Sequence, residues 1–440
     1  MKKKFYRNRS VFTVLYSFVI LEKYVFTNRK DPISRKTFTP RLRRTVSSIF
    51  KELGPDYTRR AYRMTENDFW FLSSLLHKDI KAKSVPSHES SKKHRNGAKN
   101  GLILGSTRLS CALRYMAGGS VYDIALVHGI SVPQVYASVW MVVDAVNACE
   151  ELSFQFPSCH DEQKRLSKGF QDLSDADFDT CIGAIDGLLI WMDQPNPSDC
   201  ELARCGPKKF FCGRKKKFGV NMMGTVDYLG RFLDVDIRHP GSTSDFLVFA
   251  TSDLKDKLET HGFLAPGLGL FGDNAYVSSP YMVTPYKCAR GSEDDFNFFQ
   301  SQVRINVECA FGKLVHRWGI LRRPLSSKIG LRRISSLVMA LCRLHNFCID
   351  SSHSQNHNLD PLAQDQVNIT VNSHIELAET EDNPHSSLGI LHGGEHFDDV
   401  GQSILRALRR SETEEANKCA REKLHRMVVD GGYKRPRVTV

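Results

Sequence analysis

The sequence predicts an α/β protein in which a mixed sheet with flanking helices follows an all-α region. Two observations carry this. Up to about residue 150, apolar residues recur at helical spacing, whereas from Asp179 the period shortens to that of strands. Beyond that point the segments alternate as strand, hairpin, helix, strand, helix, with no internal repeat. The chain has 440 residues, 41% hydrophobic and 25% charged, the balance of a folded globular protein and not of a disordered or fibrous one. Its length suggests two or three units, each with a core of its own.

Residues 1–55 read as a basic, loosely docked arm. Within it "VFTVLYSFVIL" (Val11 to Leu21) follows a basic start but lacks a small-residue cleavage site, so it predicts an N-terminal helix and not a signal peptide. No stretch approaches the roughly 18 apolar residues of a membrane span, and no membrane is expected. The twelve cysteines include no CxxC pair; in so long a chain they read as reduced thiols, which excludes a disulfide scaffold. The net charge of +12 points to a polyanionic partner such as DNA or RNA.

Residues 56–150 predict a helical domain. "RMTENDFWFLSSLLHKDI" (Arg63 to Ile80) is a helix with Thr65 as its N-cap and Phe69, Leu72, Leu75 and Leu76 on one face. Lys81 to Gly101 is polar and basic, a linker. A helix then ends at Gly118–Gly119, a short one runs from Val121 to Val127, and Ser131 caps a third past Val139. Helix, short glycine turn at Gly129 and capped helix is a helix-turn-helix pattern, and equally that of three helices in a bundle. On the first reading Gln134, Tyr136 and Ser138, expected to be exposed, would face DNA bases.

Residues 175–350 hold the sheet. "TCIGAIDGLLIWMDQP" is a strand, and Lys215 to Gly241 is a hairpin turning at "DYLG". "STSDFLVFATSDLKDKLE" is a helix opening on the hydroxyls of Ser242 and Thr243. "GLGLFGDNAY" is a short strand, Ser301 to Leu321 a strong helix, and "RRISSLVMALCRLHNFCI" a closing one, with Cys342, His345 and Cys348 on a packed face. Residues 351–400 predict a disordered polar linker, and residues 401–440 a charged helix with a basic tail, either solvated or in contact with phosphate or an import receptor. This order of elements in 175–350 is that of a ribonuclease H-like core.

Three acids fall where such a core gathers them: Asp186 inside the apolar strand, Asp273 at the end of a later strand, and Glu308 on the apolar-flanked helix. A carboxylate in a buried strand is costly unless a cation shares the place. Three convergent carboxylates suit two divalent ions, Mg²⁺ or Mn²⁺, which can hold the attacking and leaving oxygens of a phosphoryl displacement. Asp245 in "GSTSD" is either a fourth site residue or a helix-start cap. Arg304, one turn before Glu308, either contacts phosphate or orients the glutamate.

"CIGAIDG", "GRFLDV", "HPGSTSD", "FGDNAY", "TPY", "VRINVECAFGKLVHRWGIL" and "LHNFC" stand in the order, and with gaps similar to those, of the PIF/Harbinger transposases and the Harbinger transposase-derived nucleases, which the chain resembles from about Arg59 to Asp350. The resemblance implies a DDE nuclease with Asp186, Asp273 and Glu308 as its catalytic triad. It implies metal-dependent hydrolysis at transposon ends, then joining of the freed 3′-hydroxyl to target DNA. It further implies a Myb-like partner protein and nuclear localisation, with a cytoplasmic pool as a second possibility. Cutting two ends calls for a homo-oligomer. Leu188–Leu189 stands where the family usually has Thr-His, and "FGDNAY" replaces a commoner Gly-Asp-Ser-Gly-Tyr. From another class comes the alternative of a domesticated, catalytically inactive protein that binds DNA or a partner.

Overall fold

The structure, a computed structural model, describes residues 42–80, 102–354 and 419–436. The expected helix at Val11–Leu21, the linker at 81–101 and most of the polar segment after 354 lie outside these residues.

The first helix, α1 (Val46–Tyr62), starts inside the stretch expected to be a loose arm. Val46, Ile49 and Phe50 recur at helical spacing and are buried, a pattern overshadowed in the sequence by the surrounding Arg and Lys. Phe50 meets Tyr62 and Phe69 edge-on, with ring centroids 5.0 and 4.9 Å apart, the offset geometry that aromatic rings favour. Helices α2 (Glu66–Leu75) and α3 (His77–Ile80) follow, α2 held by a reciprocal capping box between Thr65 and Asp68. Next come α4 (Gly105–Met116), α5 (Val121–His128) and α6 (Val132–Ala148). α5 and α6 meet at 98° across Gly129, whose φ of 61° is the left-handed conformation that stops α5.

The helix α7 (His160–Gln171) has no counterpart in the sequence reading. It carries mostly polar residues; Phe170 joins the core, and a buried amide ties the helix down: Gln163 Nε2 donates to the carbonyls of Pro157 and Phe263, and its Oε1 accepts from the Ala265 N–H. Such tertiary hydrogen bonds leave no periodic trace.

The sheet centres on β1 (Cys181–Trp191). A short α8 (Pro197–Leu202) and β2 (Phe211–Cys212) lead into β3 (Lys217–Val226) and β4 (Phe232–Pro240). Two helices, α9 (Asp245–Ala250) and α10 (Asp253–Glu259), precede β5 (Gly269–Phe271) and β6 (Met282–Val283). β4, β3 and β1 are antiparallel neighbours, and β1, β5 and β6 are parallel ones, so the order across the sheet is β4-β3-β1-β5-β6, with β2 paired to the start of β3. This mixed sheet with helices on both sides is consistent with a ribonuclease H-like fold. α11 (Ser292–Arg317) and α12 (Leu331–Ser354) complete the main body, and α13 (Cys419–Asp430) follows.

Several boundaries move from expectation. The helix expected from Ser242 is two helices: Ser244 precedes α9 without a side-chain cap, and Ser252 opens α10 by accepting from the Lys255 N–H. α11 begins at Ser292, upstream of Ser301, on an acidic first turn of Glu293, Asp294 and Asp295 that suits a helix N-terminus. α12 runs to Ser354, into the stretch expected as linker.

Residues of β1 divide between two cores. Cys181 and Ala184 join the large one, shared with α11, α12 and the helical layer from Val46 onward. Ile182 and Ile185 join a smaller one with Val248, Phe249 and Leu254 of α9 and α10. The large core is continuous across residues 150–175, where a boundary between domains was expected. His345 and Cys342 are buried in α12, as their spacing predicted.

Candidate active site

Each acid reaches the site by a different element. Asp186 lies mid-strand on β1, opposite Gly224 of β3. Its Oδ1 accepts from the Gly187 N–H at 2.8 Å. Asp273 follows β5, and its Oδ1 accepts from the Ala275 N–H at 2.8 Å, an Asx turn that fixes the carboxylate past the strand end. Glu308 projects from α11 and accepts from Arg304 Nη1. The same nitrogen lies 4.0 Å from Asp186 Oδ2, so one guanidinium serves a carboxylate of the sheet and one of the helix.

Asp245 completes the cluster. It is the first residue of α9, and Asn221 Nδ2 on β3 donates to its Oδ1 at 2.8 Å and to the Thr243 carbonyl at 2.9 Å. A Cβ placed on Gly187 would stand 2.0 Å from Asp245 Oδ1. The glycine after Asp186 is therefore the space in which the Asp245 carboxylate rests.

The charges of these groups act on one another. Burial pushes the Asp186 carboxyl up to about 7, the Asp273 charge adds to this, and the Gly187 N–H and Arg304 oppose it. Asp245 is raised too, first by burial and then by Asp273, against its bond from Asn221. Tyr276, fully enclosed, has its phenol pushed far up by burial and by Asp245, Asp186 and Asp273 together. Its Oη has no hydrogen-bond partner.

The residues suit a hard divalent cation in donor chemistry: all are carboxylates, and an unpartnered phenol oxygen is buried beside them. Among the described residues, no three His, Cys, Asp or Glu side chains are grouped closely enough to hold an ion as they stand. Arg304 instead takes the cationic place between Asp186 and Glu308.

The structure thus joins Asp186 and Glu308 through Arg304 and sets Asp245 beside Gly187, with Asp273 close enough for its charge to act on Asp186 and Asp245. Gln134 and Tyr136 are exposed on α6, a helix that packs on α4, α5 and α12. Ser138 corrects the expectation: it is buried, and its hydroxyl donates to the Gln134 carbonyl at 2.7 Å, so it cannot face a base. Sequence reasoning missed Asn221, although a lone Asn inside "GVNMM" is the same signal as a lone Asp inside "GAIDG".

Fold and site define the class. Residues 185–346 match the family described as DDE superfamily endonuclease, a span containing all four acids and Arg304. The chain is 28% identical over 327 residues to the Arabidopsis thaliana protein named "Protein ALP1-like", covering 70% of this chain and 74% of that one. It is 24% identical over 247 residues to the Bos taurus protein named "Putative nuclease HARBI1", covering 56% and 67%, and 24% over 278 residues to its Mus musculus counterpart, covering 62% and 76%. No solved structure matches significantly. These likenesses support placing the chain with the Harbinger transposase-derived proteins.

Proposed function

We propose that this protein is a metal-dependent DNA endonuclease of the DDE type, with Asp186, Asp273 and Glu308 as catalytic carboxylates and Asp245 as a further ligand-bearing residue. The observation that carries the reading is that Asp245 rests against Gly187, the residue after Asp186, that Arg304 joins Asp186 to Glu308, and that the Asp273 charge acts on both Asp186 and Asp245, which resist ionisation. A fold tolerates that concentration of negative charge where a cation is to be received. Mg²⁺ or Mn²⁺ bound there would supply Lewis acidity toward a phosphodiester oxygen. The chain's own part is to hold the acids in place, Asp245 through Asn221 and Glu308 through Arg304. Double-stranded DNA at transposon ends and targets, a Myb-like partner, a homo-oligomer and the nucleus belong to the same reading, as does strand transfer after hydrolysis. Gln134 and Tyr136 on α6 are proposed to contact DNA.

One observation favours a second reading, a DNA- or partner-binding protein that no longer cuts: Arg304 is paired with Glu308, and no three acids are grouped for an ion among the described residues. Cleavage of supercoiled plasmid with Mg²⁺, Mn²⁺ or EDTA separates the two. The first reading expects metal-dependent nicking that Asp186→Asn and Glu308→Gln each reduce by about 100-fold or more. Folded wild-type protein that binds DNA and leaves the plasmid intact would establish the second.

A further inference from the structure

Residues 206–218, "GPKKFFCGRKKKF", contain six basic side chains and no acid. They form a short 3-10 turn (Pro207–Phe210), the strand β2, a turn over 213–216 and the start of β3. Phe210 is buried, Phe211 and Phe218 pack edge-on across the hairpin at 5.2 Å, and Lys217 Nζ lies over the Trp191 ring. These contacts fix the hairpin and leave Lys208, Arg214, Lys215 and Lys216 exposed. Among the described residues none of these four is in an ion pair.

The hairpin is joined to the carboxylates. The Ser242 N–H donates to the Lys209 carbonyl at 3.0 Å and the Gly241 N–H to the Gly219 carbonyl at 2.9 Å. A Cβ on Gly241 would meet the carbonyls of Gly219 and Phe210 at 2.7 and 3.0 Å, so only glycine permits this approach. The loop so gripped leads directly to Asp245, and Arg214 is near enough for its charge to favour the Asp245 carboxylate. Four exposed cations outside any ion pair on one hairpin repel one another, and the complement that relieves this is a chain of regularly spaced anions.

We infer that the hairpin of residues 206–218 is a clamp for the phosphodiester backbone, which holds DNA beside the strand segment presented to the carboxylates. This rests on the proposed DNA-cutting function and adds a binding surface to it. Contacts of this kind position a duplex without reading its sequence.

The test is binding of a fluorescent DNA duplex to the full chain bearing Asp186→Asn, in EDTA, as a function of salt. Each phosphate contact adds about 0.9 to the slope of log affinity against log salt. The variant K208Q/R214Q/K215Q, which spares the positive-φ Lys216, is expected to lower that slope by about 2.7. The charge-keeping variant R214K/K215R retains it. As the control for bulk charge, K164Q/R165Q/K168Q on the exposed side of α7 leaves it unchanged. An unchanged slope in the hairpin variant, or an equal fall in the α7 variant, overturns the clamp. Wild-type plasmid cleavage run in parallel keeps the two ideas apart: a hairpin-specific fall in slope without cutting removes the nuclease and keeps the clamp.

Discussion

At Gly187 the backbone makes room for a carboxylate that comes from elsewhere in the chain. Gly187→Ala would drive a methyl group into Asp245, an overpacking expected to cost about 1–3 kcal/mol and to displace an acid of the site. Its thermal unfolding should fall by several degrees with loss of any plasmid cutting, whereas Gly206→Ala, with open space around it, should change neither. Arg304 is the cation that lets Asp186 and Glu308 sit together. Arg304→Ala removes it, so the variant should melt lower than wild type in EDTA and gain more from added Mg²⁺, because an ion then compensates what the guanidinium did. An equal Mg²⁺ response in both proteins would mean that Arg304 and metal do not share a place.

Among the elements, α11 carries Glu308, and its acidic start is where the C-terminal segment docks. Lys434 Nζ lies 3.2 Å from Asp295 Oδ2, the Arg435 N–H donates to Asp295 Oδ1 at 2.9 Å, and Arg435 Nη1 donates to Asp294 at 3.0 Å. The tail read as solvated or phosphate-binding is thus, over residues 434–435, a partner for this chain's own helix. Asp295 is buried, whereas the Arg435–Asp294 pair is exposed and contributes little, about 0–1 kcal/mol. Apolar contacts hold α13 more firmly: Leu424 and Val428 are buried, and Arg421 stacks 4.3 Å over the Tyr286 ring. Leu424→Ala should therefore cost about 2–5 kcal/mol in urea unfolding and Arg435→Gln less than about 1 kcal/mol. The reverse order would mean that charge and not packing docks the segment.

For the whole molecule, the continuous core makes stability depend on two buried imidazoles. His128 shares a 3.2 Å contact with the Ser110 hydroxyl, and burial, aided by Arg114 and Arg44, holds it down to about 4. His345, wholly enclosed in α12, is likewise lowered by burial. The unfolded chain takes up a proton at His128 near 6.5, and the folded site resists until about 4, so stability is present above 6.5 and lost as pH falls toward 4. For His128 the loss is about 3 kcal/mol. His128→Gln should flatten the pH dependence of the urea midpoint between those values; an unaltered slope would refute the assignment.

The elements whose reasons are local were legible in the sequence. β1, the hairpin of β3 and β4, α11 and α12 each bury an apolar pattern with its own period, and a lone Asp within one marked a costly charge. Asp186 could be named for that reason, Asp273 and Glu308 from their places at a strand end and on an apolar-flanked helix and from the family resemblance, and the packing of Cys342 and His345 followed from their helical spacing. What depends on partners distant in the chain was not. α7 is tied down in part by a buried amide, Ser138 turns inward to the carbonyl one turn before it, and α1 hides its apolar spacing among arginines. Asp245 joins the acids only because Gly187 vacates the space and Asn221 reaches across from β3. The basic hairpin likewise acquires meaning from the loop that ties it to Asp245. Periodicity reports which face of an element is dry; which distant groups share that face is decided by the closing of the sheet and the packing of helices upon it.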